Sequence, residues 1–383
     1  MKKIIFIGKQ PLSGVFLKKK NYNLKKYPLD LFICKKCSLI QLGKNAPVNK
    51  MFGETYGYQS SISKLMINHL KKIYQKLVLK KYIDNKSSII DIGSNDGTFL
   101  NFFKKSNKLY GIDPTSNKFK KFYKPHIKRI TNFFSYENLK KKLRSSDPKK
   151  FDLISSIAMF YDVNNPNKFC NDISMLLKPN GIWIVEFSYF PLLLKNLTYD
   201  QICHEHVTYL TLGIFKNIAE NNNLKIIEIS LNEINGGSIQ IICTKKTSNK
   251  KVDTKKIKTL LEDEKKIQNR TYQNFNKRIY RLKRKINVFL MKNKKKIIYG
   301  YGASTKGNVI LNFCNIKNEN IKNICDANIL KKGLFTPGSN IQIISKKKMR
   351  NDHPDFLVVL IWSFRKEIIR EEIDYLEKGG KLV

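Results

Sequence analysis

A chain of 383 residues is longer than one simple core encloses and predicts two or three domains. Hydrophobic residues make up 42% of it and run its whole length, which excludes a disordered polymer, and no apolar run is long enough to cross a bilayer. The net charge of +43 raises the question of an RNA, DNA or anionic-surface partner. Its lysines are spread evenly, arginines are few, and Asn and Ile are abundant, which reads as general compositional bias rather than a phosphate-reading patch.

In chain order, "MKKIIFIGKQPLSGVF" begins like a secretory signal, but Gly8, Lys9 and Gln10 break its apolar run, so a strand and turn of the mature chain are expected. Residues 1–70 read as a small irregular region carrying the pair Cys34 and Cys37. Seven cysteines, an odd number, make no disulfide framework, and a reducing cytoplasm is the expected location. Helical apolar spacing predicts a helix over 62–82. Short Ile- and Val-rich runs then alternate with helical segments: "SIIDIG", "KLYGID", "KRITNFF", "FDLISSIAMF" and "GIWIVEF" suit a parallel sheet buried on both faces. "LKIIEISLNEI" and "GSIQIICTKK" are separated by Asn235, Gly236 and Gly237, a hairpin-like break. Residues 246–296 are dense in charge and read as a solvated helical connector, after which a second α/β unit opens with "KIIYGYGASTKGNVILNF". The expected organisation is a small region over 1–70, a Rossmann-like α/β domain over 71–246 and a C-terminal Rossmann-like α/β domain over 247–383.

"SSIIDIGSNDGTFLNFF" predicts a buried strand ending at Asp91, a turn through Gly93, Asn95 and Gly97, and a helix from Thr98. Asp113, about 20 residues further on, suits a carboxylate on ribose hydroxyls. A dinucleotide site would carry G-x-G-x-x-G. Here Asp91 and Asp96 would repel a pyrophosphate but welcome a sulfonium and an ammonium. The pattern resembles the first motif of class I S-adenosylmethionine-dependent methyltransferases. That resemblance implies that the turn holds the methionine part, Asp113 the ribose, and Asn132 and Phe133 the edge of the adenine.

The stretch after the fifth strand, "TYDQICHEHVTYLTL", gathers Tyr199, His204, Glu205 and His206, and with Tyr189 it is expected at the cleft where open α/β sheets bind ligands. His204 and His206 would share one face of a strand and so could give two zinc ligands, but no further ligand has recognisable spacing. Acid–base chemistry is the second reading, since a histidine can remove a proton beside a carbonyl with Glu or Tyr in support. Hydrogen-bonded structural histidines are the third.

With "AMFYDVNNP", "NGGSIQI", "YGYGASTKGNVILNF", "IGKQPLSGVF", "YPLDLFICKKCSLIQL" and "YGYQSSIS", the series resembles the nucleotide-sugar C-methyltransferase family over essentially the whole chain. The resemblance implies a nucleotide-linked keto-deoxysugar as substrate, His206 as base supported by Glu205, and a tyrosine of the pair Tyr56 and Tyr58 in the active site. Family members usually bind a structural zinc through two cysteine pairs; only Cys34 and Cys37 stand here, and nothing before residue 34 supplies another Cys or His. Some members place a tyrosine before H-E-H, where this chain has Cys203. Others use a histidine after the fourth strand, where Tyr161 could serve. In the C-terminal unit, Gly302, Thr305 and Lys306 at a strand-to-helix loop suit the substrate's phosphates, although the loop is not a P-loop. A monomer or homodimer without a membrane partner is expected. The alternatives are an RNA-binding methyltransferase and an O-methyltransferase on a different sugar.

Overall fold

The computed structural model describes residues 1–47, 51 and 58–383. Its centre is a seven-stranded sheet in the order Leu224–Asn232, Ser238–Lys245, Leu177–Ser188, Phe151–Ile157, Ser88–Ile92, Lys108–Ile112 and Ile127–Ile130. The five strands from Leu177–Ser188 onward run parallel, whereas Ser238–Lys245 pairs antiparallel with both of its neighbours. Strand alternation sends neighbouring side chains to opposite faces. Ile90, Ile92, Ile154, Trp183 and Val185 enter one core, while Ile89, Leu153, Ile182 and Ile184 enter another. Against that second face lies the helix Lys64–Leu79, two to three residues shorter at each end than expected; it buries Met66, Leu70, Ile73 and Leu77 at helical spacing and starts where Ser63 accepts from Met66 N.

A second sheet, all parallel, has the order Gln342–Ser345, Asn323–Asp326, Ile298–Tyr301, Phe356–Val359, Lys381–Leu382. The charged stretch between the sheets forms two helices, Thr254–Lys265 and Asn269–Lys292. They are not wholly solvated: Ile257, Tyr272, Phe275, Ile279 and Leu290 are buried. Glu264 fastens the first helix to the central domain, accepting from the Tyr189 hydroxyl at 2.5 Å, from Gly213 N at 2.9 Å and from Leu212 N. Glu264→Ala orphans these three donors and is expected to cost about 1–3 kcal/mol, read as a lower urea midpoint.

The N-terminal segment is interwoven with the central domain. Lys2–Ile5, Leu31–Ile33 and Ile40–Leu42 form an antiparallel sheet whose fourth strand, Thr208–Tyr209, directly follows the His-Glu-His stretch. Among the described residues no helix is long and apolar enough to cross a membrane.

Candidate active site

Two cavities of about 290 Å³ each adjoin at the C-terminal ends of the central parallel strands. Asp91, Gly93, Ser94, Asn95, Asp113, Phe133, Phe134 and Met159 help to line the first. Gly93 has φ +74°, and a Cβ there would lie 2.9 Å from Met159, so the backbone itself forms the wall. The turn is held from behind: Tyr123 donates to Asn95 O at 2.8 Å, and Asp113 accepts from Asn95 N at 2.9 Å. Asn95 and Asp96 in turn accept from Ser60 N and Ser61 N, drawing the segment after Tyr58 over the cavity.

The expected helix from Thr98 does not form. Asp96 accepts from both the N–H and the hydroxyl of Thr98, and only a 3-10 turn, Leu100–Phe102, follows. The turn therefore presents carboxylates rather than a helix end, which favours a cationic ligand. Burial, with the Asp113 charge adding to it, pushes Asp91 up to about 7, and Ser155 donates to it at 2.6 Å. An acid held this way gains from a neighbouring cation, so the residues fit a sulfonium- and ammonium-bearing ligand. Phe133 lines the cavity, 47% exposed. Asn132 does not; its side chain accepts from Phe133 N, and Phe134 stands on the wall instead.

The second cavity lies between the two sheets and is lined by Tyr161, Asp162, Asp200, Cys203, Glu205, His206, Gly302, Thr305 and Lys306, among others. The H-E-H segment is a bend rather than a strand, so His204 and His206 do not share a face. His204 is turned to the N-terminal region, with Ser13 Oγ and Tyr27 O each at 3.3 Å from its ring nitrogens. His206 faces the cavity, its ring 4.0 Å from that of Tyr161. Burial, then the Lys306 charge, lowers His206 to about 3, so it is neutral at physiological pH. Glu205 is raised by burial, and its Oε2 has no hydrogen-bond partner among the described residues. Gly14 packs against this carboxylate; any side chain there would collide with Oε1. Lys306 donates to Asn235 Oδ1 at 2.9 Å and is lowered by burial, an effect that Asp200, Cys203 and Asp162 oppose.

Several candidates stand elsewhere. Tyr199 packs on Phe313 with its hydroxyl 3.8 Å from Cys314 Sγ, outside the cavity. Tyr189 points to Glu264. Tyr56 lies outside the described residues, whereas Tyr58 lines both cavities. Cys34 and Cys37 supply two thiols, and among the described residues no group of three or more His, Cys, Asp or Glu could hold a metal, so they do not fit a four-ligand zinc. Sequence reasoning passed over Asp162, which lines both cavities from the 3-10 turn Phe160–Asp162 after the strand Phe151–Ile157, and Tyr123, which braces the turn at Asn95 and for which no local signal exists.

Residues 63–229 match a methyltransferase domain model, 233–383 a C-methyltransferase C-terminal domain and 1–52 a candidate zinc-binding domain. The chain is 27% identical to the C-methyltransferase NovU of Streptomyces niveus, over 99% of this chain and 91% of that protein. Among solved structures, the PH0226 protein of Pyrococcus horikoshii aligns with a TM-score of 0.38 and 15% identity, over 49% of this chain and 94% of its own. An S-adenosylmethionine-dependent methyltransferase of Clostridium acetobutylicum aligns at 0.35 and 13%, over 46% and 89%. The chain is an S-adenosylmethionine-dependent methyltransferase, similar along nearly all of its length to a C-methyltransferase.

Proposed function

We propose that this enzyme methylates a nucleotide-linked keto-deoxysugar at a carbon beside its carbonyl. The observation that carries the reading is the adjoining pair of cavities: an acidic, glycine-walled one opens onto a second that holds a neutral, buried His206. The regions 1–70, 71–246 and 247–383 would act together, since the helix Lys64–Leu79 runs across the first boundary and Thr208–Tyr209 joins the N-terminal sheet. S-adenosylmethionine, when bound, supplies an electrophilic methyl group on a sulfonium. Asp91 and the turn Gly93–Gly97 would hold its methionine part, Asp113 its ribose, and Phe133 the face of its adenine.

His206 would take the proton from the substrate carbon, and the carbon–hydrogen pair would become the enolate double bond. That carbon would then displace the thioether sulfur from the methyl group in line, leaving S-adenosylhomocysteine. Glu205 would orient the base. The helix Thr305–Cys314 begins at the cavity wall beside Gly302, where its first N–H groups and Lys306 suit the substrate's diphosphate. Lys306→Ala is expected to raise the substrate KM about tenfold, a loss of ~1.4 kcal/mol, while leaving methyl-donor affinity unchanged.

The deciding assay offers methyl-labelled S-adenosylmethionine with two pools, one of nucleoside-diphosphate 4-keto-6-deoxyhexoses and one of total cellular RNA. Label on a sugar carbon supports the reading. Label on a sugar oxygen would move the activity to O-methylation, and label in RNA would make the +43 charge the better guide.

A further inference from the structure

We propose that Asp162 is a catalytic hydrogen-bond donor that holds the substrate's carbonyl oxygen while His206 removes the neighbouring proton. This rests on the keto-sugar reading above. Methyl transfer must occur where the two cavities meet, and among the described residues those on both walls are Tyr58, Met66, Ala158 and Asp162. Met66 and Ala158 have no strong hydrogen-bonding group. Tyr58 is 46% exposed, and its hydroxyl, pushed up to about 12 by burial, is already engaged by Ser60. Asp162 Oδ1, by contrast, is enclosed and has no partner among the described residues. A buried polar atom left unpaired costs free energy unless a ligand completes it. Glu205 Oε2, on the same cavity, likewise has no partner among the described residues, and Glu205 is only 7% exposed.

The charges around Asp162 favour a donor. Burial and then the Glu205 carboxyl raise its pKa well above the usual range, with Lys306 opposing. Cys203, Tyr209 and Lys306 are the other titratable groups that feel its charge. A protonated carboxyl can donate to an oxygen on which negative charge develops. The base makes this necessary. A histidine lowered to about 3 is weak, so the enolate must be stabilised at its oxygen for the proton to leave carbon. As the carbon–hydrogen pair moves into the carbon–carbon double bond, the carbonyl π pair moves onto the oxygen that Asp162 O–H holds. When the carbon bonds to the methyl group, the methyl–sulfur bond would break with its pair left on the thioether sulfur of S-adenosylhomocysteine, the oxygen pair would return to re-form the carbonyl, and Asp162 would keep its proton.

The test measures kcat, KM and S-adenosylhomocysteine affinity for Asp162→Asn, Asp162→Ala and Asp162→Glu with the 4-keto-6-deoxyhexose panel. The amide still donates, so Asp162→Asn is expected to stay within about tenfold of wild type, whereas Asp162→Ala loses about 10²–10³-fold in kcat. KM and S-adenosylhomocysteine affinity should change little in all three, and the affinity also reports that each variant folds. The wild-type rate should fall as pH rises through the raised Asp162 pKa, and Asp162→Asn should lack that alkaline limb. An Asn variant as slow as Ala, with activity recovered in Glu, would overturn the donor role alone. A wild-type enzyme that methylates none of these sugars would overturn the keto-sugar reading and the role with it.

Discussion

His206→Ala is expected to lower kcat on the order of 10³-fold while S-adenosylhomocysteine still binds. The ring lines the second cavity and takes no part in the wall of the first, so its loss should leave cofactor affinity intact. His204→Ala is the matched control, because that ring is turned to Ser13 and Tyr27. Its loss should cost stability and little of kcat at a temperature where the variant is folded. The wild-type acid limb should lie well below pH 6.5. Burial and Lys306 both disfavour the imidazolium, so acidification must go far below the ordinary histidine range before the base is lost. Carbon methylation retained near wild-type rate in His206→Ala would remove the assignment. An isothermal binding measurement beside the rate separates loss of chemistry from loss of fold.

S-adenosylmethionine affinity is expected to rise with pH up to about 7 and then to level off. The free chain holds the Asp91 carboxyl near half protonation at that pH, through burial and the neighbouring Asp113. A bound cation favours the ionised form, so binding lowers the Asp91 pKa and releases a proton. Where the carboxyl is protonated, Kd should fall by up to about tenfold per pH unit as pH increases, and it should flatten above that pKa. Asp91→Asn should weaken binding by about 2–5 kcal/mol at pH 8 and abolish the slope. Calorimetry in buffers of different ionisation enthalpy would count the released proton. A Kd independent of pH between 5.5 and 8 in wild type would mean that Asp91 does not meet the cation.

Much of this arrangement was legible in one dimension. Buried parallel strands announce themselves as continuous apolar runs, and "SIIDI" and "FDLISSI" became adjacent strands of one sheet. The acid at the end of the first strand, the glycines after it and the acid about 20 residues on are local facts of a strand–turn–strand unit, and Asp91, Gly93 and Asp113 line one cavity. The helix expected at Thr98 was not legible correctly: although Asp96 accepts from Thr98 N as a helix cap would, only one i+4 bond, Asn101 N to Gly97 O, precedes the 3-10 turn Leu100–Phe102. Asn132 and Phe133 show the finer limit: one residue of register decides which side chain faces a ligand.

The amino-acid sequence by itself determined the class of sheet, the acidic glycine turn with its spaced partner acid, and the concentration of His and Glu after the fifth strand. These depend on near-neighbour periodicity and on the short reach of a turn. Only the tertiary structure decided which of two histidines faces the cavity, because Ser13 and Tyr27, far off in the chain, take His204 and leave His206 to Tyr161 and Lys306. It likewise withdrew Tyr199 to Cys314 and set Asp162 where the two cavities join. The orientation of a side chain is settled by the packing and hydrogen bonds of segments that meet only in the fold, and no spacing along the chain encodes which of them will arrive.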